Sequence, residues 1–492
     1  MHNPNPFDFV PFTEKPILKT EAEFNALGDL YSGYLEVKLK ALTPVHVVGF
    51  QEPVGEGRKS HIYRQNGQAC IPAASIRGCL RSFIEALTAG WVSQANVEYK
   101  KEYGLNNPKG RHVGFSTFEK HRSRGMGPTY HMDAAVNPVY RPQAMEGENP
   151  LLDVASYLFG IVVEKEKGEQ VGHDALARKS RVWVEDAQIQ PDQIESSRYW
   201  LPDITGEAFM GGAKPSASNW WYMQPREVWA RRVTAFIKGQ KRTMSVAEFI
   251  GEKYWGRKFY YHQDPEKCVK YYDPREGNWP YRDVNAFCKV VLECLKPQAE
   301  TDTFRIYVNR LPRQLLMMLV LSLLPGKNIR HKLGYGKAYG YGSVAFSIAG
   351  ANLRVEEGTQ RIPSPLQDRL AGIIQWAEAA WSQERMQAIG FDISLINWQA
   401  LEKLAQVLGW ANSEQLIFTY PPFKTGYFAR GIGKKDFNDA VQPDYKLEQP
   451  IKTSPENARS IAAKLFDVKK PIHFRLYQER AEGWAIIKSR RP

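Results

Sequence analysis

The feature that most constrains the fold is a strand followed by an amphipathic helix, a pattern that occurs twice in the chain. Residues 33–48 alternate apolar and charged side chains, which is the period of a half-buried strand. Apolar residues then return at helical spacing within 71–87. The second half repeats the order with a strand at 304–308, an apolar helix at 312–324 and a glycine-rich turn running into a strand at 333–347.

A further alternating strand at 180–189 completes the order β, α, β, β, α, β. This order is the split βαβ arrangement of a ferredoxin-like (RRM-like) domain, so the predicted fold class is α+β. Large segments at about 90–150 and 203–300 interrupt the pattern and predict insertions. The expected organisation is a lead-in over 1–30, an interrupted core over 31–350 and an α+β C-terminal domain over 351–492.

The two ends of the chain are less regular in sequence. The lead-in is rich in Pro and Asn and looks irregular until a short helical stretch at 21–27. In the C-terminal domain, helical patterns span 366–382 and 398–408, and a hairpin is predicted at 473–488. We therefore expect this last domain to be a separate appendage.

Composition limits the class of protein. With 43% apolar and 24% charged residues among 492, the chain has the balance of a soluble globular protein. The longest apolar run, 315–324, is far shorter than the ~20 residues of a spanning helix, and the chain does not begin with a secretory signal. Five cysteines form no C-x-x-C pair, which predicts reduced thiols. We expect a cytoplasmic protein with no membrane contact, metal or cofactor.

A positive charge accompanies many aromatic side chains. The formal net charge is +13, and the chain has 13 Trp, 24 Tyr and 23 Phe. Basic groups neutralise phosphates and aromatic faces stack on unpaired bases, so the pairing favours single-stranded nucleic acid as a partner. The alternative is a basic scaffold protein that binds no RNA.

Residues 226–262 concentrate this basic and aromatic character. The segment has nine Lys or Arg against three Glu, with seven of its aromatic residues interleaved. We expect roughly a third of these aromatic side chains to face RNA and the rest to pack a core. Arg257 and Lys258, beside the aromatic run 259–261, are the predicted phosphate contacts.

A glycine motif lies between the second helix and the last strand. Gly334, Gly336, Gly340 and Gly342 surround Lys337, and glycine permits both positive φ and close approach of backbone N–H groups to phosphate. The spacing is not that of a P-loop. The alternative is a turn that only joins helix to strand.

The first predicted helix carries Ser75, Arg77 and Arg81 on or near its first turns. Helix-start N–H groups, a hydroxyl and two guanidinium groups form a set that could grip RNA phosphates. The alternative is an ordinary solvated basic face with a serine cap.

Several segments together resemble a known family. They are GYLEVKLKALTPVHVVG (33–49), IPAASIRGCLRS (71–82), YLFG (157–160), SRVWVEDA (180–187) and LGYGKAYGYGSV (333–344). The chain resembles the RAMP superfamily of CRISPR-associated proteins, specifically the large backbone subunits of type III effector complexes. Two more segments, PFDFVPF (6–12) and GRKFYYH (256–262), resemble an insertion-bearing subgroup.

The resemblance implies an RNA-guided antiviral function. Such a backbone subunit holds crRNA, positions complementary target RNA and binds other effector subunits. Catalytic members carry an aspartate in the loop between the first strand and the first helix. Here that loop has no Asp, and only Glu52 and Glu56 are acidic in it, so we expect no target cleavage by this chain.

An enzymatic alternative stays open. A guide-processing endoribonuclease of the same superfamily would use His46 or His61 as general base and Lys59 as its electrostatic partner. Target cleavage through Glu52 and Glu56 is the other form of this alternative. Sequence does not identify the segment of guide that is held, the flanking subunits, or the roles of 203–300 and the C-terminal domain.

Overall fold

The fold is described from a computed structural model. The structure describes residues 7–10, 16–55, 57–91, 95–96, 112–113, 149–163, 176–204, 207–208, 232–237, 240–245, 257–271, 287–326, 328–357, 360–363, 382–410 and 451–452. The predicted helix at 366–382, apart from its last residue, and the predicted hairpin at 473–488 lie outside these ranges. So does most of both predicted insertions.

The described elements are strands with a smaller number of helices. The strands are β1 Phe7–Val10, β2 Leu18–Thr20, β3 Leu30–Ala41, β4 Val48–Val54, β5 Gly57–Ile62, β6 Arg64–Gln65, β7 Gln68–Ile71, β8 Ala95–Asn96, β9 His112–Val113, β10 Leu151–Asp153, β11 Ile161–Val163, β12 Leu176–Arg178, β13 Val182–Val184, β14 Ala187–Gln188, β15 Ile194–Ile204, β16 Glu207–Ala208, β17 Arg232–Ile237, β18 Gln240–Ser245, β19 Arg257–Tyr260, β20 Phe287–Leu295, β21 Phe304–Pro312, β22 His331–Lys332, β23 Ser343–Glu357, β24 Gln360–Pro363 and β25 Ile451–Lys452. The α-helices are α1 Glu21–Asn25, α2 Ala73–Leu87, α3 Val154–Phe159, α4 Pro265–Tyr271, α5 Arg313–Leu323, α6 Gln383–Ala388 and α7 Trp398–Val407.

The central sheet has the strand order of a ferredoxin-like domain. Its order is β13-β21-β3-β23-β22, with β24 paired to β23 and all neighbours antiparallel. The chain order β3, α2, β13, β21, α5, β23 therefore gives the spatial order 4-1-3-2 of the split βαβ arrangement. The predicted α+β fold class and the six predicted core elements are confirmed.

One face of this sheet is buried, because buried and half-buried residues alternate along its strands. Along β3, residues Leu35, Val37, Leu39 and Ala41 are fully buried, whereas the intervening residues are half-buried. Helices α2 and α5 pack on the buried face, and every residue of 315–323 in α5 is buried. An apolar sequence without a polar stripe is what a helix covered on all sides requires.

A second sheet carries most of the segment between the first predicted strand and the first predicted helix. Strands β4 and β5 form an antiparallel hairpin, and β5 pairs in parallel with β20 in the sheet order β16-β15-β20-β5-β4. The hairpin follows β3 in the chain after residues 42–47. It places most of the described residues of 49–67 on a defined strand pair.

The N-terminal lead-in is more regular than predicted. It contains β1 and β2 as well as α1, which Thr20 caps by accepting a hydrogen bond from the Glu23 N–H at 3.2 Å. Strand β1 pairs antiparallel with β19, with Phe7 opposite Tyr260. A strand needs a partner for its backbone N–H and C=O groups. The partner of β1 is about 250 residues away in sequence, so the local sequence pattern could not predict this pair.

The described part of the C-terminal segment packs on the core. Helix α7 matches the predicted helix at 398–408, and its residues Ala400, Leu401 and Leu404 belong to the same hydrophobic cluster as α2 and α5. The Asn397 N–H also donates to the Leu87 carbonyl at the end of α2, at 2.8 Å. The described residues 382–410 therefore pack on the core.

The sequence predicts reduced cysteine thiols and no membrane-spanning helix. Four of the five cysteines, at 70, 79, 268 and 294, are free thiols, and three of these four are buried. Among the residues that the structure describes, no helix has the length and apolar character needed to span a membrane.

Candidate nucleic-acid interface

The glycine motif forms a tight turn that only glycine can make. Gly334, Gly336, Gly340 and Gly342 have φ values of +83°, +74°, +94° and +77°. A Cβ on Gly342 would lie 1.9 Å from the carbonyl oxygen of Leu333, and one on Gly340 would lie 2.5 Å from that of Gln263. All four glycines have a left-handed backbone, and all but Gly336 also pack closely against other backbone. A Cβ on Gly336 would instead meet the Tyr341 side chain at 3.0 Å.

Side chains from three other segments hold this turn, which we call the glycine loop (residues 333–342). The Lys332 ammonium donates to the Tyr341 carbonyl at 2.9 Å, the Thr43 hydroxyl to that of Gly340 at 2.8 Å, and the Gln263 amide to that of Ala338 at 2.8 Å. Burial lowers the pKa of Lys332 well below its ordinary value. Thr43 and Gln263 are far from the loop in sequence, so their contacts with it become visible only in the fold. Lys332 directly precedes the loop.

Two lysines predicted to contact RNA meet beside the glycine loop. Lys258 Nζ lies 5.0 Å from the ring centre of Tyr260, and Lys337 Nζ lies 5.7 Å from the same ring. Lys258 also lies 5.0 Å from the ring centre of Phe7 across the β1–β19 pair. We call Lys258, Tyr260 and Lys337 the lysine–tyrosine cluster; all three side chains are half-buried.

Arg77 and Arg81 instead make contacts within the protein. The Arg77 guanidinium donates to the Phe159 carbonyl, and that of Arg81 donates to the Gly160 carbonyl at 2.8 Å and to Glu85 at 2.8 Å. Burial and the nearby charge of Arg81 lower the pKa of Arg77. Both arginines thus bind the end of helix α3, where carbonyl groups lack helical partners.

The start of helix α2 already holds an anionic group. Its first residue, Ala73, donates its backbone N–H to the Asp186 carboxylate at 2.6 Å, and the helix has no side-chain cap of its own. Ser75 lies in this first turn with its N–H donated to the Pro72 carbonyl at 2.9 Å. A carboxylate at this position competes with any phosphate, so the structure does not favour the predicted RNA contact at Ser75.

Arg257 is also a structural residue rather than a surface contact. It is 9% exposed, and its guanidinium donates to the Gly90 carbonyl just after helix α2. Arg257 and Lys258 are both predicted to contact phosphate, yet the side chains of successive strand residues point to opposite faces of the strand. That alternation turns Arg257 into the interior and leaves Lys258 beside Tyr260.

The β4–β5 hairpin presents a second group of polar residues. The His61 ring Nε2 lies 2.7 Å from a Glu52 carboxylate oxygen, and its Nδ1 lies 3.5 Å from Glu293. Phe50, which is 58% exposed, stacks on the His61 ring with centres 4.3 Å apart. Lys59 is half-buried two positions before His61, on the same face of β5.

Glu293 was missed by the sequence analysis and is the anchor of this group. Arg64 donates to both of its carboxylate oxygens, at 2.8 and 2.5 Å, and the Ile62 N–H donates at 3.0 Å. Burial alone would raise the pKa of Glu293, but these hydrogen bonds outweigh it, and the pKa lies below its ordinary value. A carboxylate inside the apolar strand FCKVVLECL was the available signal.

His46 cannot act as the general base of the enzymatic alternative. It is fully buried, its Nδ1–H donates to the Glu293 carbonyl at 2.7 Å, and its Nε2 accepts from the Ser60 hydroxyl at 2.9 Å. Burial lowers the pKa of His46 to about 4. Its role is structural, because its own carbonyl also accepts the Tyr335 N–H of the glycine loop at 2.8 Å.

The other catalytic candidates have mixed outcomes. Glu52 and His61 are brought together, whereas Glu56 lies outside the described residues. Within the part of the chain that the structure describes, no cluster of three or more His, Cys, Asp or Glu side chains is arranged to hold a metal ion. The hairpin could supply an imidazole, a carboxylate and an ammonium group, which are the groups of acid–base chemistry.

A cleft of about 790 Å³ lies next to the supports of the glycine loop. Thr43 and Gln263, which hold the loop, are in its wall together with Arg198 and Lys267. Arg198 is paired with Glu266 at 2.5 Å, and Lys267 lies 3.8 Å from Asp264. The cleft therefore adds charged groups of both signs beside the loop rather than a purely basic wall.

Comparison with known proteins identifies the family. No curated protein matches the chain. The model of the RAMP superfamily matches residues 38–345, which is more than half of the chain and includes the end of β3, the hairpin, α2 and the glycine loop. The chain therefore belongs to the RAMP superfamily of CRISPR-associated, RNA-binding proteins.

Proposed function

We propose that this protein is a guide-RNA-binding backbone subunit of a type III CRISPR interference complex, holding crRNA and positioning target RNA. The observation that carries the proposal is the lysine–tyrosine cluster beside the glycine loop. Two ammonium groups lie 5.0 and 5.7 Å from one aromatic ring, next to a turn of four left-handed glycines. Ammonium groups bind phosphates and a tyrosine ring stacks on a base, so these groups suit one or two nucleotides of single-stranded RNA.

The location of this cluster supports a holding role. Lys258 and Tyr260 lie on β19, whose pairing with β1 joins the N-terminal segment to part of the second predicted insertion, and Lys337 lies in the glycine loop. The two segments that resemble the insertion-bearing subgroup are thus paired to each other. Lys337 of the glycine loop lies 5.7 Å from the Tyr260 ring of this pair, so one RNA backbone can contact both.

The proposed partners follow from the same role. We expect crRNA to bind along the lysine–tyrosine cluster, target RNA to pair with it, and other effector subunits to flank this chain in a multi-subunit complex. No cofactor is required for holding RNA. The cytoplasm is the expected compartment because the guide and its targets are there.

The test is RNA binding by the full-length double variant Lys258→Ala/Lys337→Ala. Loss of two phosphate contacts to a single strand should lower the slope of log K against log salt by about 1.4. Lys19→Ala/Lys179→Ala is the charge-matched control and should retain the original slope. An unchanged slope in the Lys258/Lys337 variant would remove this cluster from the interface.

One observation favours a second function, the endoribonuclease alternative. Glu52, His61 and Lys59 are on one side of the same hairpin, with the His61 ring 2.7 Å from Glu52. A carboxylate at one ring nitrogen can orient an imidazole for removal of a proton from a ribose hydroxyl, which needs the other ring nitrogen to be open to that hydroxyl. The two functions differ in one measurable product, a specific RNA fragment.

A further inference from the structure

The open face of the central sheet carries a row of aromatic side chains. Trp183 on β13 is opposite Tyr307 on β21, which is opposite Tyr34 on β3, which is opposite Asn352 on β23. The four residues therefore form one line across four neighbouring strands. Helices α2 and α5 pack on the other face of this sheet.

These rings are accessible rather than part of the core. Trp183 is 38% exposed, which is unusual for a large apolar side chain, while Tyr34 and Tyr307 are half-buried. The Tyr34 and Tyr307 ring centres lie 5.7 Å apart, with their planes at 63°. Exposed aromatic rings in a group indicate a binding surface more than scattered single ones do.

Polar and cationic groups surround the row. The Arg305 guanidinium lies 4.5 Å from the centre of the Tyr34 ring, and the Tyr307 hydroxyl donates to Glu185 at 2.7 Å. Lys38 lies four residues further along β3 on the same face, and its side chain is 41% exposed. Arg305 and Lys38 are only loosely paired with Glu36 and Glu300, at 3.8 and 3.9 Å, and exposed pairs of this kind are worth little.

We infer that this row, Trp183–Tyr307–Tyr34, is a stacking platform for two or three bases of single-stranded RNA. Base stacking is worth about 1–3 kcal/mol per base and does not depend on sequence. The row lies on the two central strands and one edge strand, where splayed bases can be stacked side by side on a four-stranded sheet. Arg305 and Lys38 can bind phosphates by exchanging their weak carboxylate partners.

The platform is separate from the lysine–tyrosine cluster. The cluster contributes mainly charge, whereas the row contributes mainly aromatic surface, so the two should affect RNA binding differently. The inference rests on the proposed RNA-binding function, and it goes beyond that function by assigning a second contact surface. The composition of the face favours RNA over a protein partner, because the residues that share this face of the four strands, Glu36, Arg305 and Arg354 among them, include no Leu, Ile or Val.

The test uses the full chain with labelled single-stranded RNA that contains 4-thiouridine. Trp183→Leu and Tyr34→Leu keep apolar bulk but remove the ring, and each should lower affinity at least about fivefold with an unchanged salt slope. Trp183→Phe and Tyr34→Phe keep a ring and should retain affinity within about twofold. Photo-crosslinks should form to peptides that contain 182–184, 304–312 or 30–41.

Two results would overturn the platform. The first is full affinity in both Leu variants together with no crosslink to these three strands. The second is normal RNA binding in the Leu variants but loss of effector subunits from the complex, which would show that the face binds protein. If the Lys258→Ala/Lys337→Ala variant keeps its salt slope while the Leu variants lose RNA affinity, only the lysine–tyrosine cluster is rejected. Circular dichroism of each variant controls for folding.

Discussion

The Arg81 guanidinium donates a hydrogen bond to the carbonyl oxygen of Gly160 at 2.8 Å. This contact joins two of the segments that resemble the RAMP family, IPAASIRGCLRS and YLFG. Asp186, in a third such segment, binds the first N–H of the same helix. The family-like residues around helix α2 thus hold the core together, and RNA contact by Arg77 and Arg81 stays a prediction.

Replacing Arg81 with Ala should therefore destabilise the fold. The change removes a charged donor from the end of helix α3 and leaves the Gly160 carbonyl without that partner, so we expect a loss of about 2 kcal/mol in the free energy of unfolding. Urea unfolding measures this loss. Arg385→Ala, at an exposed position, is the control and should stay within about 0.5 kcal/mol of the parent. A lower salt slope of RNA binding in a fully stable Arg81→Ala variant would restore Arg81 to the interface.

Substitution at Gly340 should disturb the protein even without RNA. A Cβ there meets the Gln263 carbonyl at 2.5 Å and the Pro265 nitrogen at 2.9 Å, and φ is +94°. We expect Gly340→Ala to lower the free energy of unfolding by at least about 2 kcal/mol. Gly55→Ala is the matched control, because φ is also positive and a Cβ there meets nothing within 4 Å. Equal stability of the two variants would contradict the tight packing of the glycine loop.

Stability should fall in acid because buried histidines must stay neutral. Burial lowers the pKa of both His46 and His331 to about 4. The unfolded chain takes up protons near pH 6.5, so the free energy of unfolding decreases as the pH falls from about 6.5 towards 4. Each histidine should contribute on the order of 2 kcal/mol between pH 7.5 and 5.

The matched variant is His331→Gln, whose amide can still donate to the Ser322 carbonyl that His331 Nε2 contacts at 2.7 Å. Urea unfolding at the two pH values should show a smaller decrease for this variant than for the parent. The same decrease in both proteins would show that His331 does not carry a lowered pKa.

The β4–β5 hairpin should not cut RNA. Carboxylates lie close to both ring nitrogens of His61, with Glu52 at 2.7 Å and Glu293 at 3.5 Å, so the ring is not placed to receive a ribose proton. A complex assembled with Glu52→Gln or His61→Ala should therefore give the same target and guide fragments on a gel as the parent complex. Disappearance of one specific fragment would establish the endoribonuclease function instead.

The strand–helix order was predictable because each core element has a clear period and a buried face. The alternation of apolar and charged residues in β3 and the apolar positions of α2 both indicate which side chains pack in the core. The β1–β19 pair was not predictable, because short edge strands depend on a partner far along the chain. The same limit hid the aromatic row, whose three rings come from three separate strands.

The candidate site was predictable only in part. Lys258 and Lys337 were recognised by charge and are brought together by the fold. Arg77 and Arg81 had the same signal, yet their guanidinium groups bind carbonyls of helix α3. Charge and spacing indicate that a residue can bind phosphate, but burial and the competing backbone acceptors decide whether it is available.

The central claim is that this chain holds a guide RNA within a complex, and the most direct measurement is the RNA that it retains. The chain should be expressed with its operon neighbours, purified through a tag on this subunit, and its bound RNA sequenced. We predict short RNAs with one defined 5′ end, co-purifying with several other subunits. Recovery of the intact chain with no RNA, or with random cellular fragments and no partner subunits, would contradict the account.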